Sequence, residues 1–148
     1  MAIARGAGTE ILRSHLFEDV NDTQAQLILG VQHHIYTVLS VIMKCQARNG
    51  TEKGNLRIIG YDSYAGTTGE TISICEFGIA AGQTFVWNDK FSFNGFEPTD
   101  FSGILSTTAE QDAIADQGSS VVQYLSFHTT GSSTTYDVTC TFIDQNNA

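Results

Sequence analysis

The stretch Val31–Ala47, VQHHIYTVLSVIMKCQA, decides the fold. Its odd positions are Val31, His33, Ile35, Thr37, Leu39, Val41, Met43, Cys45 and Ala47, almost all apolar. Its even positions, Gln32, His34, Tyr36, Val38, Ser40, Ile42, Lys44 and Gln46, are mixed. Successive strand side chains point to opposite faces, so this alternation describes a long β-strand with one side on a core. A helix would need apolar residues at i, i+3, i+4 and i+7, and the β-branched and aromatic content disfavours one. On this phase the odd residues belong to the core. Tyr36, Val38 and Ile42 then lie on the second face, where an isolated monomer would expose them.

The same period recurs on both sides. Thr9–Glu18 reads as a first strand, with Ile11 and Phe17 opposite Leu12 and Leu16. Asp19–Gln26 reads as a turn or short helical bridge, and Ala25–Gly30 as the lead-in to the long strand. Asn49-Gly50 marks a turn, because both residues accept positive φ. Asn55–Tyr61 and Glu70–Ile79 are further strands. Thr84–Trp87 and Phe91–Phe93 read as a hairpin around Asn88-Asp89-Lys90, which sets Phe85 and Trp87 across from Phe91 and Phe93. Thr107–Gln117 is the one helical segment, with Thr108 as its cap and Gly118 at its end. Val121–Thr129 and Thr135–Ile143 close the chain around Gly131-Ser132-Ser133. About eight strands and one short helix predict an all-β fold: an antiparallel two-sheet β-sandwich, jelly-roll-like ahead of immunoglobulin-like. The 148 residues suit a flexible N-terminal arm over residues 1–8 and a single β-sandwich domain over 9–148.

Composition narrows the function classes. A hydrophobic fraction of 41% and a charged fraction of 16% describe a folded chain. The net charge of −9 repels phosphate backbones and anionic headgroups, so no nucleic acid and no membrane is expected as a partner. The opening MAIARGAGTEILR has no apolar signal-type segment, which points to synthesis in a cytoplasm. Cys45, Cys75 and Cys140 each sit in an apolar run; an odd number without tight spacing predicts buried free thiols.

Sites of chemistry are sparse. His33 and His34 alternate across a strand and so cannot grip one metal together, and His33 reads as a hydrogen-bonded core histidine. Ser14-His15 has no triad partner, and no Gly-x-Ser-x-Gly elbow occurs. Asp62 with Glu70, or Glu97 with Asp100, form the available carboxylate pairs, and Asp19 with Asp22 is a weak calcium motif. No catalytic, cofactor or metal residue is assigned, and no enzyme activity is expected. The remaining feature is aromatic: Phe85, Trp87, Phe91, Phe93, Phe96 and Phe101 fall within seventeen residues. They fill a sandwich core, or some stay exposed and anchor an interface.

Four segments carry a resemblance: MAIARGAGTEILRSHLFE at the start, HHIYTVLSV in the long strand, GQTFVWNDKFSFNGFEP around the aromatics, and TTYDVTCTFIDQNNA at the end. Together they resemble small virion structural proteins of tailed bacteriophages of marine and cyanobacterial hosts, in particular head decoration (cement) proteins. The resemblance implies a trimeric β-sandwich that binds the major capsid protein and braces the head shell, located on the capsid surface of the virion. It implies no cofactor and no active-site residue. A tail or neck protein, or a carbohydrate- or receptor-binding module of the particle, is the alternative. The residues expected to touch a second copy or the capsid are Arg5, Tyr36, Val38, Ile42, Trp87 and Phe96.

Overall fold

The computed structural model describes residues 8–61, 69–96, 106–116 and 121–146. Strand β1 (Thr9–Val20) is followed by β2 (Ala25–Leu29), β3 (His34–Ala47), β4 (Gly54–Tyr61), β5 (Glu70–Phe77), β6 (Thr84–Trp87) and β7 (Phe91–Asn94). Helix α1 (Thr108–Asp116), β8 (Tyr124–Thr129) and β9 (Thr135–Asn146) complete the described elements. One sheet has the order β1-β9-β3-β6, with β7 also on β3; the other has the order β2-β8-β4-β5. All of these pairings are antiparallel. Chain-distant strands interleave in both sheets, as in a jelly roll, so the predicted two-sheet sandwich stands.

Strand β9 shows how the core is built. From Thr135 to Gln145 burial alternates without a slip, and Tyr136, Val138, Cys140 and Phe142 face inward. Strand β3 pairs with β9 along nearly its whole length but does not keep one phase. Val38 lies opposite Phe142 and Ser40 opposite Thr141, so Leu39 is an extra residue on β3. A bulge of this kind puts two residues against one and reverses which parity faces the core. Before Leu39 the inward residues are Tyr36 and Val38; after it they are Val41, Met43 and Cys45. The expectation that Tyr36 and Val38 lie on an outer face is therefore corrected. Tyr36 packs against Phe93 and Phe142, with ring centroids 5.3 and 6.0 Å away, and Val38 is fully buried.

Three further readings change. Ala25–Leu29 is not a lead-in to the long strand but β2, which crosses to the other sheet and pairs with β8. The chain turns between them at His33, which has φ 66° and lies outside the strand. Segments β6 and β7 do not form a hairpin with each other: Trp87 pairs with Val41 and Phe91 with Val38. They are successive pieces along one edge of β3, and the break between them lies opposite the Leu39 bulge. The helix cap is Thr107, one residue before the expected position. Its Oγ1 accepts from the Glu110 amide at 3.2 Å, and the Glu110 carboxylate accepts from the Ser106 and Thr107 amides in return. Those amide bonds hold the Glu110 carboxyl below its ordinary pKa.

One end of the sandwich is closed by a chain of backbone hydrogen bonds, with the Gln123 side chain donating to the Asn94 and Phe96 carbonyls beside it. Gly30 donates to the Gln123 carbonyl at 2.9 Å, Gln123 to Gly95 at 2.9 Å, and Gly95 to His34 at 2.8 Å. A Cβ on Gly95 would stand 1.9 Å from the Val31 carbonyl oxygen, so the approach requires glycine.

Candidate interaction surface

The outer face of the β1-β9-β3-β6 sheet can be read row by row from the register. Leu16 lies opposite Thr139, Thr139 opposite Ile42, and Ile42 opposite Val86, which makes one row across four strands. Leu16, Ile42 and Val86 are 62%, 42% and 48% exposed, and the β-branched Thr139 links them. The parallel row on the far side of Ser14, Thr141 and Ser40 runs Leu12, Ile143, Thr37 and Ser92. One hydroxyl pair, Ser14 with Thr141 at 2.9 Å, lies between the rows, and a second, Thr37 with Ser92 at 3.1 Å, ends the second row. Where aliphatic side chains stand beside paired hydroxyls such as Ser14–Thr141, covering the surface costs little, because those polar groups already have partners.

A second feature opens along the β5 and β6–β7 edges, where the two sheets part. Ile58, Ile72, Ile74, Trp87 and Phe91 line a cleft of about 220 Å³. Ile72 lies directly opposite Ile58 on the inner phase, yet it remains 47% exposed because the sandwich is open there. The indole of Trp87 donates to the Asp89 carbonyl at 2.9 Å, which leaves only ring surface towards the cleft.

The six expected contact residues separate on these surfaces. Ile42 is at the centre of the exposed row. Trp87 belongs to the cleft, on the opposite face of the sheet from Ile42. Phe96 is half-buried beside the closed end and forms a bridge to Val122. Tyr36 and Val38 are core residues and have no surface to offer. Arg5 lies outside the described residues, as do most of the N-terminal arm, Phe101, and Asp62, Glu97 and Asp100 of the carboxylate pairs.

A polar cluster went unread in the sequence. Asp144 occupies an inward position of β9, where its carboxylate meets His34 Nδ1 at 2.6 Å and Arg13 Nε at 3.3 Å. Two partners from β1 and β3 thus satisfy a carboxylate that is only 8% exposed. The signal was available: Asp144 continues the apolar parity of Tyr136, Val138, Cys140 and Phe142, and a buried charge demands a cation. Beside it the Tyr36 hydroxyl accepts from the Val31 amide at 3.1 Å. Burial first, and the Asp144 charge second, push the Tyr36 pKa up to about 12. The cluster ties three strands together and presents no open coordination.

His15 crosses between the sheets: its Nδ1–H donates to the Leu27 carbonyl at 2.9 Å, which fixes the tautomer, and its ring meets Phe142 edge-on at 5.0 Å. Burial, with Arg57 adding to the effect, lowers the His128 pKa below its ordinary value. Cys45, Cys75 and Cys140 are free thiols; the first and last are buried and Cys75 is half-buried. Among the described residues no group of three or more His, Cys, Asp or Glu side chains is placed to hold a metal ion. No helix among them is long and apolar enough to cross a membrane.

The fold and these surfaces define a jelly-roll β-sandwich with an apolar outer sheet face. No protein-family model and no curated protein matches the chain. Among solved structures it is similar to a chain from Bacillus endospore appendages, described as a novel family of disulfide-linked pili. That match has 14% identity and a TM-score of 0.42, over 100% of this chain and 97% of that one. It is also similar to chains of two strains of infectious bursal disease virus. The Gx strain gives 10% identity and a TM-score of 0.46, over 99% of this chain and 35% of that one. The Gt strain gives 8% and 0.47, over 99% and 34%. This chain spans about a third of the length of those viral chains, and likeness at this level says nothing about function.

Proposed function

We propose that the protein is a non-enzymatic structural subunit of a virus particle, and specifically a head decoration protein of a tailed bacteriophage. On this reading it is made in the host cytoplasm, assembles as a homotrimer and binds the major capsid protein on the outside of the shell. The observation that carries the reading is the Leu16–Thr139–Ile42–Val86 row with its neighbour Leu12, a contiguous exposed aliphatic row across one sheet of an acidic protein. Such a face gains from being covered, and a net charge of −9 keeps the free protein soluble until it is. Repeating a modest contact over many capsid sites raises avidity without one strong contact, which suits a shell-bracing role. The sequence resemblance to cement proteins points the same way.

Image reconstruction of the particle that contains this chain tests the proposal. Jelly-roll density on the outer head shell, with the aliphatic row turned towards capsid protein, is the expected result. Density confined to the neck or tail, or absence of the protein from the particle, overturns it.

A further inference from the structure

From the two flanks of the sandwich we infer a head-to-tail self-association surface: the β1 edge of one copy seats against the β5–β6–β7 edge of the next. The inference rests on the surface alone and holds whichever particle the protein serves. The two flanks lie at opposite ends of the sheet orders, with β1 and β2 on one side and β5, β6 and β7 on the other.

Their apolar features match by phase. On β1, Ile11 follows the inner phase of His15 and Phe17, and it is 43% exposed. On the opposite flank the inner phase is the cleft lined by Ile72, Ile74 and Trp87. On the outer phase, Leu16 ends the aliphatic row at the β1 edge and Val86 ends it at the β6 edge. Two copies placed side by side bring Ile11 to the cleft and Leu16 to Val86, so the row runs on from copy to copy.

Charge disfavours a symmetric β1-to-β1 pairing. The β1 flank carries Glu10, Glu18, Asp19 and Asp22, and its single described cation, Arg13, is engaged by Asp144. The opposite flank is mixed: Lys44, paired with Thr84 on one side and Asp137 on the other, and Lys90 stand among Glu70, Glu76 and Asp89. These are the two lysines without an ion pair among the described residues, since Lys53 bridges to Glu76. A β1-to-β1 contact would set acids against acids with no unpaired lysine on either side; the head-to-tail contact places Lys44 and Lys90 within reach of the β1 acids. The area is sufficient. Twelve residues of β1 span about 40 Å, and two sheets with their side chains about 20 Å, which offers about 800 Å² per copy, the size of a stable interface. A contact between two different surfaces closes into a ring or runs on as a filament, and a three-fold ring requires one.

The test uses the full chain at micromolar concentration in sedimentation equilibrium, with Leu16→Lys to spoil the β1 flank and Ile72→Glu to spoil the cleft. Leu16 and Ile72 are 62% and 47% exposed, and a native near-ultraviolet dichroism spectrum confirms folding; Val86→Glu, on the outer face of the same flank, serves as a second variant of that side. The wild type is expected to associate beyond the 16.0 kDa monomer, and each variant alone to stay monomeric. An equimolar mixture of the two retains one intact contact and is expected to form a dimer of twice that mass and nothing larger. A monomeric wild type, a single variant that assembles like the wild type, or a mixture that stays monomeric while the wild type assembles each overturns the inference.

Discussion

Strands β3 and β9 lie side by side in the middle of one sheet, are similarly long, and both alternate every second residue. In β9 the apolar parity holds from Tyr136 to Asp144, so reading its sequence is the same as reading its burial. In β3 the alternation is just as regular to the eye, but Leu39 is inserted opposite no residue of β9 and the parity reverses across it. Tyr36 and Val38 are buried on even positions, Val41 and Met43 on odd ones. The period of a strand follows from local sterics, but its phase is set by the partner strand, and a bulge changes phase without leaving a mark in composition.

The sharpest way to break this contrast is to remove the extra residue. Deleting Leu39 forces the pairing to run in one phase, so either the Tyr36–Val38 half or the Val41–Cys45 half must turn outward. The deletion is expected to abolish cooperative thermal unfolding, because two or more fully buried side chains, at about 1.5–3 kcal/mol each, would lose their place. Deleting a residue from the loop between β3 and β4, such as Thr51, is the control and leaves the transition in place. A cooperative melt in the Leu39 deletion would show that the bulge does not set the phase.

Point substitutions measure the same switch on a smaller scale. Val38 and Ile42 share a parity, yet one is fully buried and the other is 42% exposed. Val38→Ala should cost about 2 kcal/mol, which lowers Tm by roughly 4–8 °C for a chain of this size. Ile42→Ala should stay within about 0.5 kcal/mol. Equal losses at the two sites would remove the parity switch.

The fold was legible wherever phase did not matter. Alternating runs and turn residues sufficed for an all-β chain of two antiparallel sheets, since that depends on where strands exist, whereas the order of the strands depends on pairing and was not legible. The misreadings fall where a partner decides. Strand β2 was hidden because the turn before β3 bends at His33, a non-glycine with positive φ that gives no turn signal of the Asn-Gly kind. The polar triplet at Asn88 marks a real break, but whether the chain reverses there depends on β3, which holds both β6 and β7. At the candidate surface, Ile42 was legible as an outward aliphatic residue. Leu12 and Leu16 were placed on one face but not singled out, because nothing local shows that their strand ends up at a sheet edge.

Asp144 marks the one inward position where β9 departs from apolar chemistry. Replacing it by Asn keeps the shape but removes the charge that Arg13 and His34 both meet. The expected cost is about 1–2 kcal/mol, below that of breaking a fully buried pair, because Arg13 is 47% exposed and can return to water. A change in Tm of less than a degree would mean that the cluster is held by packing alone.

The smallest effects concern the thiols, one inward on each of the two central strands and a third on β5. Cys45 and Cys140 are buried and Cys75 is half-buried, so a thiol reagent added to the native protein should label Cys75 first and the other two only after unfolding. Burial pushes the Cys140 thiol from 9.0 up to about 12, and the sign of its pH linkage follows. The folded state favours the protonated thiol, whereas the unfolded chain releases the proton near pH 9. The contribution is therefore fully present below pH 9 and is lost as pH rises from 9 towards about 12. In the Cys140→Ala variant the decline of Tm across that window should be shallower than in the wild type, even though the variant starts from a lower value because of the cavity it leaves. Tyr36, pushed up to about 12 by the same burial, titrates in both proteins and cancels in the comparison. Parallel alkaline slopes in the two proteins, or rapid native labelling of Cys140, would place that thiol in contact with water and undo the unbroken parity of β9.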